Sequence, residues 1–286
     1  SFLNSDHERA VGAACAARGI PVSLSHEIVS EFREYERMST TLVNAYVLPV
    51  MQRYLSRLSR MAGKHDVLRI MQSSGGSISA ATAMHEPVRT VLSGPAGGVV
   101  GAAAAAQEAN CPQVISFDMG GTSTDVCLIH GTPALTTDTK VAGMPLRTPM
   151  IDIHTVGAGG GSIAWVDSGG ALRVGPHSAG AHPGPVCYGT GDEITVTDAH
   201  LFLGRLVPER FAGGSIALDY TRTERLMTAC ARRLCLPPAE CAEGIIRIAN
   251  ASMEKAIRVI SIERGHDPRE YALVAFGGAG PMHAAF

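Results

Sequence analysis

Apolar residues recur along this chain with two spacings, and the change from one to the other predicts its elements. Between residues 39 and 61, Leu42, Val43, Tyr46, Val47, Val50, Met51, Tyr54, Leu55 and Leu58 return every three or four positions. That period predicts one long amphipathic helix, kinked at Pro49. A shorter helix is expected over 5–19, with Asp6 and Glu8 near its start and Gly19 at its end. Pro21–Ser25 and Val67–Met71 read as strands, and 31–37 as a charged turn or solvated face. A polar turn over 72–77 leads to a helix over 79–85. From 112 to 175 short apolar runs separated by glycines predict successive β elements. Residues 192–206 read as a strand and then a helix, with Asp198 near its cap. Two further helices are expected at 221–235 and 238–264, the second amphipathic.

Two places share a design of strand, Gly/Pro turn and helix. One is Val88–Leu92, then Ser93-Gly94-Pro95-Ala96-Gly97-Gly98 and an Ala-rich helix to about 108. The other is Leu273–Phe276, then Gly277-Gly278-Ala279-Gly280-Pro281 and a helix from Met282. They read as a diverged internal repeat of two α/β lobes, or as two ordinary βα turns. Either way, a glycine turn entering a helix offers free N–H donors and close backbone approach.

The richest chemistry lies in Phe117-Asp118-Met119-Gly120-Gly121-Thr122-Ser123-Thr124-Asp125-Val126. Apolar runs on both sides make it a β-hairpin whose turn holds two glycines, three hydroxyls and two flanking acids. Glycines bring backbone N–H groups close to an anion, and hydroxyls add donors. Asp118 is placed to hold a hydrated Mg²⁺ near that anion. A nucleotide polyphosphate suits such a cup. The chain has no G-x-x-x-x-G-K-[ST], which argues against a P-loop.

Composition narrows the field. With 286 residues, 45% hydrophobic and a mean hydropathy of +0.13, the chain can bury one large or two medium domains. A net charge of −2 and 5% aromatic content argue against nucleic acid or an anionic membrane as partner. Seven scattered cysteines without a CxxC read as reduced thiols of a cytoplasmic protein. The alanine run at 102–106 is too short to span a bilayer.

Three further groups are candidates. Gly157-Ala158-Gly159-Gly160-Gly161 precedes a strand-like Ser162–Val166 rather than a helix, so a dinucleotide fingerprint is rejected; a loop approached by a ligand or another loop fits better. Asp152 and His154, two apart on an expected strand, would share a face as an acid/base pair, as a metal edge, or simply as packed polar groups. His177, His182 and Cys187 are evenly spaced without a fourth ligand, so a covering or interface loop is preferred over a zinc site, with metal binding left open.

Several strings together resemble the hydantoinase A/5-oxoprolinase family. They are Ser93–Gly98, FDMGGTSTDV at 117–126, DIHTVGAGGGSIAWVD at 152–167, RVGPHSAGAHPGPVCYG at 173–189, TVTDAHLFLGRL at 195–206 and AFGGAGPMHA at 275–284. Residues 32–58 fit as well, and nucleotide-binding subunits of acetone and acetophenone carboxylases look similar. The resemblance implies an α/β, actin-like ATPase (ribonuclease H-like) fold with a mixed sheet flanked by helices. Residues 1–110 would be the C-terminal part of a first lobe, and 111–286 a second lobe. It implies ATP with Mg²⁺ as cofactors, and ATP-dependent hydrolysis of a cyclic amide such as a hydantoin or 5-oxoproline. A second large subunit or domain of the hydantoinase B type is the implied partner. The alternatives are a subunit of a carboxylase-like complex and a nucleotide-driven switch without chemistry.

Carried onto this sequence, the resemblance gives Asp118, Gly120, Gly121, Thr122, Ser123 and Thr124 to phosphate, with Asp118 at the metal. It gives Gly277, Gly278, Ala279, Gly280 and Pro281 to adenosine. Asp125, Asp152 and His154 become candidate catalytic groups, and Glu254 and Lys255 lie either beside the nucleotide or in solvent. Relatives carry an earlier acid-Gly-Gly-Thr turn that is not found here, so a central fragment with little ATP turnover of its own is expected.

Overall fold

The computed structural model describes residues 2–63 and 66–286. Its helices are α1 Asp6–Ala16, α2 Ser25–Ile28, α3 Glu34–Met61, α4 Ala80–His85, α5 Ser93–Glu108, α6 Val196–Phe202, α7 Tyr220–Arg233, α8 Pro238–Ile260 and α9 Gly280–His283. The first strands are β1 Arg69–Met71, β2 Ser77–Ser79, β3 Gln113–Met119, β4 Thr124–His130, β5 Thr132–Pro133 and β6 Leu135–Thr136. They are followed by β7 Thr139–Val141, β8 Met144–Leu146, β9 Met150–Ile151, β10 His154–Val156, β11 Ser162–Val166, β12 Leu172–Ser178 and β13 Ala272–Phe276. The chain divides into one unit of residues 1–101 with 133–152, and another of 102–132 with 153–286. Segment 133–152 groups with the first unit because Leu146 and Met150 share a core with Ile28, Val29, Val43 and Val88.

In the first unit, α3 starts five residues earlier than its apolar period predicts. Glu34 and Glu36 occupy its first turn, where carboxylates meet the positive end of the helix dipole. Its apolar positions do not form one buried stripe. Val43, Leu48 and Leu55 are buried, whereas Leu42, Tyr46, Val50 and Tyr54, each four residues apart, are exposed. The helix thus has two apolar sides, and this unit covers one.

Buried Asn44 ties α3 to the next segment. Its amide donates to Ser23 Oγ and the His85 carbonyl, and its oxygen accepts from Val88 N–H. That last bond explains a departure from expectation. Residues 88–92 are not a strand, because Pro87–Thr90 makes a 3₁₀ turn whose Thr90 hydroxyl donates back to the Pro87 carbonyl. α5 then begins at Ser93, so Gly94, Gly97 and Gly98 lie inside a helix rather than in a loop before it. The strand–turn–helix repeat is therefore present only at the second place. Residues 21–24 likewise form no strand, and Ser25 already opens α2.

The second unit is built on a mixed sheet with the order β10-β4-β3-β13, in which β13 runs parallel to β3 and the other pairs are antiparallel. On one face of β3, Ile115, Phe117 and Met119 join a core with Ile245, Ala249, Met253 and Ile260 of α8. The spacing of those α8 residues is the helical period the sequence displays. Each fully buried Ile or Met there contributes about 1.5–3 kcal/mol. β11 and β12 form a separate hairpin.

α6 is fastened by a capping box. Thr195 Oγ1 accepts from Asp198 N–H while Asp198 accepts from Thr195 N–H, satisfying donors at the helix start. The same buried carboxylate accepts from the N–H groups of Val186 and Cys187 and from the Thr195 hydroxyl. Removing it strands several buried donors at once. Asp198→Ala is expected to lower unfolding free energy by about 3 kcal/mol or more, read from urea denaturation. A loss below about 0.5 kcal/mol, the range of a surface change, would contradict this role.

Candidate functional site

The hairpin of β3 and β4 pairs Phe117 with Val126, Asp118 with Asp125 and Met119 with Thr124, leaving residues 120–123 as its turn. Gly120 N–H closes the turn on the Ser123 carbonyl at 3.0 Å. The turn's carbonyls are then engaged from one side. Gly160 N–H donates to Gly120 O at 3.0 Å, and Gly161 N–H donates to Gly121 O at 2.7 Å. Thr124 Oγ1 donates to the Ala158 carbonyl at 2.6 Å, so this buried hydroxyl faces the neighbouring loop rather than a ligand. Loop 157–161, read in the sequence as a place of close backbone approach, thus packs on the hairpin turn. Gly159 is needed for it: an added Cβ would lie 2.6 Å from both the Gly121 carbonyl carbon and the Thr122 nitrogen.

This packing leaves a one-sided surface. Among the described residues, the N–H groups of Gly121, Thr122 and Ser123 and the hydroxyls of Thr122 and Ser123 have no protein partner, and Gly121 and Thr122 are exposed. Carbonyls point inward to glycines, and free donors remain for an anion.

The turn after β13 lies against the same hairpin. Phe276 is in register with Asp118, and Ala279 N–H donates to the Met119 carbonyl at 2.9 Å. Gly277 has φ +81°, and a Cβ there would sit 2.4 Å from Asp118 Oδ1. Only glycine combines that backbone with that proximity. Gly277, Gly278 and Pro281 are exposed, whereas Ala279 and Gly280 are buried. The structure therefore brings the two expected ligand turns together.

The two acids of the hairpin are cross-strand neighbours. Burial, and then the Asp125 charge, raise Asp118 above the ordinary carboxylate range. Asp125 accepts from the Thr155 hydroxyl of β10. Two adjacent carboxylates beside a row of anion donors suit a hydrated divalent cation carrying a polyphosphate, since Mg²⁺ uses one or two carboxylates and keeps its waters.

The other candidates separate. β9 ends at Ile151 and β10 begins at His154, so Asp152 and His154 do not lie on one strand and the shared-face argument does not apply. Asp152 N–H donates to Ala134 O in the first unit, while His154 pairs with Val126 beside the hairpin in the second. His177 and His182 are exposed, while Cys187 is wholly buried, its thiol pushed up by burial and by Asp198. Glu254 and Lys255 are exposed on α8, with Glu254 3.9 Å from Arg258. Among the described residues, no group of three or more His, Cys, Asp or Glu is arranged to hold a metal.

A buried relay behind the second turn escaped sequence reasoning. Asn250 Oδ1 of α8 lies 2.6 Å from His283 Nδ1 of α9, and His283 Nε2 lies 3.1 Å from His200 Nε2 of α6. If the Asn250 oxygen accepts, His283 carries its proton on Nδ1, and His200 must donate from Nε2. Burial, followed by neighbouring positive charge, lowers His200 to about 3 and His283 to about 4, so both rings are neutral at pH 7. The relay fastens the short α9, and hence the end of its glycine turn, to two longer elements. These histidines lie far apart in sequence, and no local pattern joins them.

The hydantoinase/oxoprolinase family model matches residues 37–286. The alpha subunit of caprolactamase from Pseudomonas jessenii is 43% identical over 99% of this chain and 42% of its own length. The 5-oxoprolinase of Saccharomyces cerevisiae is 39% identical over 99% of this chain and 23% of its own. A nucleotide-free structure of acetone carboxylase, described for ATP-dependent acetone carboxylation, superposes with a TM-score of 0.84 at 32% identity, over 99% of this chain and 41% of that one. The chain thus spans less than half the length of these relatives. The mixed α/β architecture agrees with the expected actin-like ATPase fold.

Because burial and Asp125 both disfavour its charge, Asp118 is expected to titrate above the usual value near 3.9, read from its side-chain carboxyl NMR shift. Its folded-state pKa is raised, so its ionisation opposes folding as pH climbs through that value. Asp125→Asn should lower the midpoint. A midpoint at or below the usual value, or one unmoved by Asp125→Asn, would contradict the paired-acid geometry.

Proposed function

This chain belongs to the hydantoinase/oxoprolinase family, and on that premise we propose that it is the nucleotide-binding portion of an ATP-dependent cyclic amide hydrolase. The observation that carries the reading is the one-sided hairpin turn: its Gly120 and Gly121 carbonyls are taken by Gly160 and Gly161, while the amides of Gly121, Thr122 and Ser123 stay free. Those donors, with the Thr122 and Ser123 hydroxyls, receive the terminal phosphates. Asp118, with Asp125 beside it, would hold Mg²⁺, which when bound would supply neutralisation of phosphate charge. Gly277, Gly278 and the backbone up to Pro281 border the adenosine. Names of relatives support the substrate class, caprolactam and 5-oxoproline both being cyclic amides.

An amide carbonyl is a poor electrophile. Phosphoryl transfer from ATP to the amide oxygen makes the carbon attackable. Water adds there, the C–N bond breaks with the ring nitrogen leaving as the amine, and a second water hydrolyses the resulting acyl phosphate to carboxylate and phosphate. The chain's task is to position and to balance charge. His154, on the strand next to the hairpin, and Asp125 are the proposed groups for orienting the attacking partner. Relatives named as subunits support a second large chain or domain of the hydantoinase B type as partner. The seven cysteines are all free, which fits a cytoplasmic setting. No helix among the described residues is long and apolar enough to cross a membrane.

Acetone carboxylase's likeness at TM-score 0.84 favours one second reading, a subunit of an ATP-dependent carboxylase. In the natural protein that carries this sequence, ATP turnover is expected to rise at least about tenfold with 5-oxoproline, caprolactam or hydantoin, and Asp118→Ala to reduce it by about 100-fold or more. Stimulation by acetone or acetophenone with bicarbonate, and by no cyclic amide, would replace the first reading with the second. Full activity in Asp118→Ala would remove Asp118 from the metal site.

A further inference from the structure

Cys230 and Cys241 are eleven positions apart in sequence and stand on different helices, α7 and α8, joined by the tight turn 234–237. Their sulfurs lie 4.0 Å apart, with the Cys241 thiol donating to Cys230 Sγ. Cys241 is completely buried among Met227, Ala231 and Ile245. Cys230 is only half-buried and lines a cavity of about 270 Å³ bordered by Trp165, Asp192, Glu193, Leu226 and Arg233. Trp165, Asp192, Glu193 and Arg233 are all exposed, so the cavity that Cys230 borders opens to solvent. The two residues are thus unequal: Cys230 borders an open cavity, and Cys241 is a fully buried donor to it.

We propose that Cys230 is a nucleophilic modification site with Cys241 as its resolving partner, and that a peroxide or a low-molecular-weight disulfide converts the pair to a disulfide joining α7 to α8. With hydrogen peroxide, the Cys230 thiolate attacks one oxygen, an S–O bond forms, the O–O bond breaks, and hydroxide leaves. The sulfur of Cys241 then attacks the Cys230 sulfur. The S–S bond forms, the S–O bond breaks, and the departing oxygen takes the Cys241 proton to leave as water. In sum, two thiols and one peroxide give one disulfide and two waters.

The electrostatics agree with this order. The hydrogen bond from Cys241, aided by Arg233 one turn along α7 and opposed by burial, brings Cys230 down to about 7. Asp192 and Glu193 are the other charged groups facing the cavity. Cys241, giving its proton to that bond and buried, is pushed up. Closing 4.0 Å to the S–S distance of about 2.05 Å needs side-chain rotation on neighbouring helices rather than a change of fold.

The native chain contains its own references, since Cys111 and Cys235 are exposed. At pH 7, iodoacetamide should alkylate Cys230 faster than Cys111 or Cys235, with a half-maximal rate near pH 7. After hydrogen peroxide, peptide mass spectrometry should find Cys230 linked to Cys241, with two hydrogens lost. Cys241→Ala should slow alkylation of Cys230 at pH 7 by about tenfold, as its thiol returns toward about 8.5. The proposal is overturned if Cys230 reacts no faster than Cys235 at pH 7 in the native chain, or if peroxide joins Cys230 to another cysteine or to none.

Discussion

Two backbone hydrogen bonds, from Gly160 to Gly120 and from Gly161 to Gly121, organise the second unit's candidate site. A β-turn free in solvent would hydrate its donors and acceptors alike and hold no orientation. Engaging the carbonyls from behind leaves the amides as the open side, the asymmetry that the proposed anion cup requires. The requirement for bare backbone follows. A Cβ on Gly159 would overlap the turn, and one on Gly277 would overlap Asp118. Glycines in two separated segments, 157–161 and the turn after β13, therefore answer one steric demand, close packing on the hairpin.

The same constraint accounts for the surrounding packing. Loop 157–161 is held in turn by α6, where Thr197 donates both its N–H and its hydroxyl to the Gly160 carbonyl. α6 is fixed by Asp198, and its His200 reaches His283 on α9. The cup, the glycine turn after β13 and the helices behind them form one connected network of buried polar groups. Such networks are satisfied as a whole or fail as a whole, so precision at the turn depends on residues that would never meet a ligand. The site is rigid by construction on its inner side and open on its outer side.

Much of this was legible in the sequence where chemistry is local. The hairpin 117–126 announces itself by apolar runs on both sides of an acid-Gly-Gly-hydroxyl turn, and α8 by its helical period. Loop 157–161 was readable as a close approach because a strand, not a helix, follows it. Failures occurred where a distant partner decides. The strand expected at 88–92 is a 3₁₀ turn because Asn44, more than forty residues away, takes the Val88 amide. The single apolar face expected on α3 is two faces, since period alone does not say which side a neighbour covers. Asp152 and His154 looked like one strand face, yet the chain leaves its strand between them. The histidine relay has no sequence signature at all, because its three members come from three helices.

In the proposed function, the open amides of residues 121–123 receive the nucleotide's phosphates. Titrating the ¹⁵N-labelled chain with Mg-ATP at millimolar concentration, and following each backbone amide by NMR, tests it most directly. Shifts are expected to concentrate at Gly121, Thr122 and Ser123 and at Gly278, with the Gly160 and Gly161 amides moving little because they stay bonded to the turn. Shifts clustered elsewhere, with residues 121–123 unmoved, would contradict it.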